Sequence, residues 1–348
     1  MDEFYNEITM WKKEYSNNIL NYEPTLESYK EFSCSIKFGE DGGVKEFCRN
    51  WRIVYQGLIW PLAYTYLKAI RGSKNESNKN YITLFEFLAA FNVIVLISAI
   101  NDSDLSDEKY QEIKNTLWNT YNPDGKRWHM MHFGDWTTLY KQLRKIYRDN
   151  DFETPFDRKF FDKLSSKKYE NLFQKLRAKE RNPESHCGLE DDIDREAKLE
   201  DLKNYTDTDI FNILNLYSGL KLYYIENSKP KTPKKKCYKV MSLNGPCDPP
   251  NYHKFISEVE LYVYSLYLYH PLENSFLKLE NDLIKFEKIK DSKQYGIYLY
   301  DGVDERKNIV KYKCYQHKNE FFEISLKTDE DTFLKVSDDF LIDILRLI

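Results

Sequence analysis

Apolar residues recur at helical spacing through roughly the first 219 positions and at strand spacing after them. The most apolar stretch runs from Ile82 to Ile100, where Leu84, Phe87, Leu88, Phe91, Ile94 and Val95 fall three and four residues apart. It is close to the length that spans a bilayer. Glu86 and Asn92 lie within it and no basic cluster flanks it, so the expectation is the central buried helix of a bundle rather than a membrane span. Further helical patterns cover residues 2–38, broken at Tyr22-Glu23-Pro24, then 44–71 with an interruption at Trp60-Pro61, and 102–121. Another opens at Asp135 as its cap and runs to about Asp149, and others span 154–180 and 189–219. Residues 72–79, polar and led by Gly72, read as a loop. Gly39-Glu40-Asp41-Gly42-Gly43 reads as a turn, since no strand precedes it and no Lys-Ser/Thr follows to cradle a phosphate.

Beyond Gly219 the period shortens. Strands are predicted at 220–226, 237–243, 259–269, 276–279, 283–289, 295–300 and 309–315, with turns at Asn244-Gly245 and Asp301-Gly302. A last helix is predicted at 336–348. The expected fold class is therefore α+β, with an all-α domain at 1–218 and a smaller β-rich domain at 219–348 that ends in a helix.

Composition narrows the partners. The chain has 348 residues, a net charge of −4, 28 Tyr and 21 Phe. That charge excludes a broad electrostatic footprint for duplex nucleic acid. Single-stranded RNA at a small local site stays open, because aromatic stacking carries part of such affinity. The six cysteines, Cys34, Cys48, Cys187, Cys237, Cys247 and Cys314, form no C-x-x-C pair, so no structural metal and no cofactor is expected. With an acidic opening Met1-Asp2-Glu3 and no secretory signal, the expected compartment is the cytoplasm.

The candidate chemistry sits at Arg181-Asn182-Pro183-Glu184-Ser185-His186-Cys187-Gly188. Pro183 stops the preceding helical pattern and suits the first position of a new helix, with Asn182 as its cap. Arg181 and His186 could then converge on one phosphate at the positive end of that helix. The same residues also fit a plain helix junction held by a cap and a surface ion pair. Cys187 next to His186 is a poor nucleophile candidate, because adjacent helical residues do not face each other. A second Arg/His pair at the same spacing, Arg127 and His132, lies after the turn-like Asn122-Pro123-Asp124-Gly125, and either copy could form the site. His129 and His132 sit beside Met130 and Met131 with no carboxylate or thiol near in sequence, which favours packing or a site-lining loop over a metal pair.

The segment resembles the R-x4-6-H motif of HEPN domains, in the R-N-x-x-x-H form. Ile59-Trp60-Pro61-Leu62-Ala63, the apolar run from Ile82 and Gly134-Asp135-Trp136 are similar to helix segments of HEPN-like proteins from prokaryotic defence and toxin–antitoxin loci. The resemblance implies an all-α domain that forms a homodimer with the motif at the dimer seam. It also implies a metal-independent endoribonuclease with Arg181, Asn182 and His186 as catalytic residues. RNA would lend its own 2′-hydroxyl as nucleophile. His186 would move the proton, and Arg181 would hold the phosphate. Acidic residues Glu190, Asp191, Asp192 and Asp194 follow closely and argue against a broad RNA groove past His186. Lys234, Lys235 and Lys236, in a Lys/Pro loop from Lys229 to Lys239, are the candidate RNA contacts, a solvated hairpin tip being the alternative. The other class of function is a non-catalytic dimerisation or sensor module that binds a defence-system partner protein through the β-rich part.

Overall fold

In the computed structural model the described residues are 58–71, 74–103, 105–121, 131–180, 192–245, 251–289, 294–304, 309–315 and 321–325. The expectations for residues 2–57, for 122–130 with Arg127 and His129, and for the helix at 336–348 fall outside them. So do Arg181, Asn182 and His186. All described residues belong to the unit Gly57–Ile348, which is mixed α and β.

Eight helices come first among the described residues: α1 (Trp60–Arg71), α2 (Lys74–Asn101), α3 (Asp107–Tyr121), α4 (Phe133–Asp149), α5 (Arg158–Leu164), α6 (Lys167–Glu180), α7 (Asp192–Tyr205) and α8 (Phe211–Leu216). A π turn at Thr206–Ile210 joins α7 to α8. Apolar on all sides, α2 is the centre: every residue from Leu84 to Ile100 is buried. It is long and apolar enough to cross a bilayer, but 89% of its most apolar window is enclosed by the fold. Three of its buried polar residues each reach a different later element. Glu86 pairs with Lys313 (3.4 Å), Asn92 accepts from the Tyr217 hydroxyl (2.6 Å), and the Ser98 hydroxyl oxygen accepts from the Glu280 amide (3.0 Å). A hydrogen-bonding group inside an apolar helix is costly unless partnered, so these contacts fix what packs where.

Several helix starts differ from expectation: α3 opens at Asp107 rather than 102, and α5 at Arg158 rather than 154. Residues 74–79 are the first turns of α2 rather than a loop, because Lys, Asn, Glu and Ser are all tolerated in a helix. At α4 the cap is His132, and Asp135 stands three places inside. There its carboxylate accepts from the His132 amide (2.9 Å), which satisfies a donor the helix leaves open.

Nine strands follow among the described residues: β1 (Lys221–Thr232), β2 (Lys235–Ser242), β3 (Asn251–Ser257), β4 (Leu266–His270), β5 (Ser275–Lys278), β6 (Ile284–Lys288), β7 (Tyr295–Asp304), β8 (Ile309–Cys314) and β9 (Phe321–Ser325). They form two antiparallel sheets, in the orders β3-β2-β1-β4-β5 and β6-β7-β8-β9. The change from helix to strand falls between Leu216 and Lys221, around Gly219 with φ +91°. Helices and sheets nevertheless share contacts: Trp60 donates to the Leu243 carbonyl (2.8 Å), Gly245 to that of Leu58 (2.9 Å), and Trp60 meets Phe286 edge-on.

Several strand expectations change. The Lys/Pro stretch is strand almost to its tip, leaving Pro233-Lys234 as the turn. Residues 258–265, rich in Val and Tyr, form a loop instead of a strand, while β3 and β9 were not anticipated. Asp301-Gly302 is not a turn. It is a bulge within β7: the register steps from Tyr300↔Tyr312 to Gly302↔Lys311, leaving Asp301 unpaired and Gly302 at φ +122°.

Candidate functional site

The helical order brackets the Arg181–His186 segment: α6 ends at Glu180 and α7 begins at Asp192. Its residues lie outside the described ones.

The three hairpin lysines separate into two kinds. Lys235 pairs with Glu258 (3.1 Å) and Lys236 with Glu260, while Lys239, on the same strand, pairs with Glu226. Lys234, at the tip, is exposed with no carboxylate partner among the described residues. Two of the three anticipated RNA contacts thus already carry a counter-charge, although exposed pairs of this kind open at small cost.

The second Arg/His copy places one residue in an informative setting. His132 is exposed at the N-terminus of α4. The amide of its neighbour Met131 donates to the Asp301 carbonyl (2.9 Å), which holds the start of α4 against the β7 bulge. The bulge turns Asp301 inward, where it is 7% exposed. Burial pushes the Asp301 carboxyl up to about 6; nearby Glu86 adds to this, while Lys313, His132 and Lys311 oppose it. Lys313 of β8 pairs with Glu86 and packs its ammonium over the Tyr315 ring (4.6 Å). Tyr315 is buried against Phe87 of α2 (5.2 Å), and its hydroxyl lies near Glu86 and Trp136.

Chemically this is a small proton-holding cluster with one exposed imidazole at its edge. Asp301 can keep a proton to higher pH than a free aspartate, and the exposed His132 side chain stands at the edge of the cluster. Sequence reasoning singled out His132 but not Asp301, Glu86 or Lys313 as its company. A glycine after an aspartate signals a turn in isolation, and only pairing with β8 converts it into a bulge. Among the described residues no group of three or more His, Cys, Asp or Glu is arranged to hold a metal ion.

No protein-family model matches the chain, and no curated protein or solved structure is significantly similar to it. The class is therefore defined by the fold alone: an α+β protein whose central apolar helix is packed between further helices and two antiparallel sheets.

Proposed function

We propose that this protein is a metal-independent endoribonuclease of prokaryotic anti-phage or toxin–antitoxin defence, acting in the cytoplasm as a homodimer with a HEPN-like helical part. The observation that carries this reading is the position of Arg181-Asn182-Pro183-Glu184-Ser185-His186 in the connection from α6, which ends at Glu180, to α7, which opens at Asp192. A guanidinium and an imidazole at such a junction suit phosphate binding and proton transfer during 2′-hydroxyl attack. The fragments would end in a 2′,3′-cyclic phosphate. Two copies across a dimer seam would supply both an acid and a base.

The test is cleavage of total RNA on a denaturing gel with divalent ions chelated. Wild type should cut, and Arg181→Ala with His186→Ala should not. Undiminished cutting by that double variant removes the assignment. A second location for the same chemistry is favoured by His132, which is exposed at a helix N-terminus beside the buried Asp301 carboxyl. In that case Arg127→Ala with His132→Ala is the inactive protein. The non-catalytic reading, a sensor that binds a partner protein through its sheets, takes over if neither pair matters and no RNA is cut.

A further inference from the structure

The five-stranded sheet curls until its two edges meet. Phe255 on β3 and Phe276 on β5 stand at opposite ends of the strand order, yet their ring centroids are 5.4 Å apart. The concave side encloses Ile225, Tyr238, Val240, Leu261 and Tyr267. The 258–265 loop closes one end. The Tyr238 hydroxyl donates to the Val259 carbonyl (3.1 Å) and accepts from the Leu261 amide (3.0 Å). The Tyr262 amide donates to the Tyr267 hydroxyl (2.8 Å).

The other end carries aromatic rings that are only partly covered. Tyr223, Phe255 and Tyr269 are half-buried and His253 is exposed. Tyr223 stacks on Tyr269 (5.6 Å) and meets His253 edge-on (5.3 Å), while Tyr269 stacks on Phe276 (4.5 Å). Lys221 stands on the same face, two places before Tyr223 and in register with Tyr269. Its ammonium is half-buried, so burial lowers its pKa, and no carboxylate pairs with it among the described residues. Burial, then Lys221, also lowers the His253 pKa, which favours the neutral imidazole at its edge-on contact with Tyr223. A desolvated cation without a counter-charge calls for an anion, and the rings beside it call for a planar partner.

The surroundings carry the matching charge. Residues 221–278 hold nine lysines against five carboxylates, in a chain whose net charge is −4. Four of those carboxylates are engaged: Glu226, Glu258 and Glu260 by lysines, Glu273 by His270. Lys229, Lys231 and Lys234 are left exposed along the β1–β2 hairpin.

We propose that this open end of the curled sheet binds single-stranded RNA, with a base lying against the Tyr223–Tyr269 rings and its phosphate on Lys221. The choice of RNA over another strand rests on the nuclease reading above. An acidic peptide would satisfy Lys221 but gain nothing from stacked rings, and a duplex hides its base faces.

The test is fluorescence anisotropy with a labelled single-stranded RNA decamer, its duplex form and free AMP. It uses the full chain carrying Arg181→Ala and His186→Ala so that the RNA survives. The expected result is binding of the single strand that weakens with salt and exceeds duplex binding about tenfold. Tyr269→Leu, which keeps apolar volume, and Lys221→Gln, which sits at the open end, should each weaken it roughly five- to hundredfold with melting unchanged. If Tyr269→Leu fails to fold, Lys221→Gln decides alone. Wild-type affinity in the folded variants overturns the proposal, as does equal binding of single strand and duplex, or AMP binding as tight as the decamer. No RNA binding at all overturns it in favour of a protein ligand. Cleavage is scored separately with the unsubstituted motif: cutting without dependence on Tyr269 or Lys221 removes this inference and keeps the nuclease. Binding through those residues without cutting does the reverse.

Discussion

The Tyr217 hydroxyl donates to the Asn92 side-chain oxygen over 2.6 Å, joining the middle of α2 to the residue that ends the helical half of the chain. Both residues are fully buried, and Phe91 packs edge-on to the Tyr217 ring (5.4 Å). Asn92→Leu would strand a buried hydroxyl, and Tyr217→Phe would strand the amide. Each should cost about 1–3 kcal/mol, with the double substitution costing less than the sum. Chemical denaturation of the four proteins checks this; strict additivity would mean that the two groups do not sense each other.

Arg144 of α4 and Glu170 of α6 form a buried ion pair, and Lys167 (2.7 Å) and Gln174 (3.2 Å) complete the carboxylate's partners. Burial raises the Glu170 pKa, but hydrogen bonds from Lys167 and Arg144 outweigh it and leave the pKa below its usual value. Arg144→Met leaves that carboxylate underpaired and should destabilise by about 3–5 kcal/mol, whereas Arg144→Met with Glu170→Leu should recover most of the loss. A depressed carboxylate stabilises the fold above its unfolded pKa and stops doing so as pH falls through its folded one. Wild type should therefore lose stability relative to the double variant on acidification below the usual carboxylate range. Parallel melting curves across that range would contradict the pairing.

For Asp301 the sign is opposite. Its carboxyl titrates at about 6 in the folded chain against 3.8 for a free aspartate. The stabilisation from holding this proton is complete below the unfolded value and is lost as pH rises through about 6. Asp301→Asn keeps the shape and has no proton to lose. The melting temperature of wild type, measured against Asp301→Asn, should fall between roughly pH 4 and pH 7. A constant difference over that window would show that folding does not raise the Asp301 pKa.

The polar residues of α2 show how far the chain's pattern reaches. Glu86 and Asn92 stand out in an apolar run, and their presence alone says that a buried helix needs polar partners. It does not name Lys313 or Tyr217, which are 227 and 125 residues away. The Arg181–His186 motif likewise stands out in the sequence through Asn182-Pro183 between two helical patterns, whereas the company of His132 does not. Asp301 joins it only through a bulge set by β8.

Local periodicity by itself determined the α+β class, the central buried helix and most strand positions, because backbone geometry repeats every 3.6 or 2 residues wherever one face is buried. Only the tertiary structure made β3 an edge strand and 258–265 a loop. It also brought Phe255 onto Phe276 and gathered Tyr223, Tyr269 and Lys221 around one opening. Register and curling depend on which distant strand each segment meets, and β-propensity follows that context more than the segment's own residues.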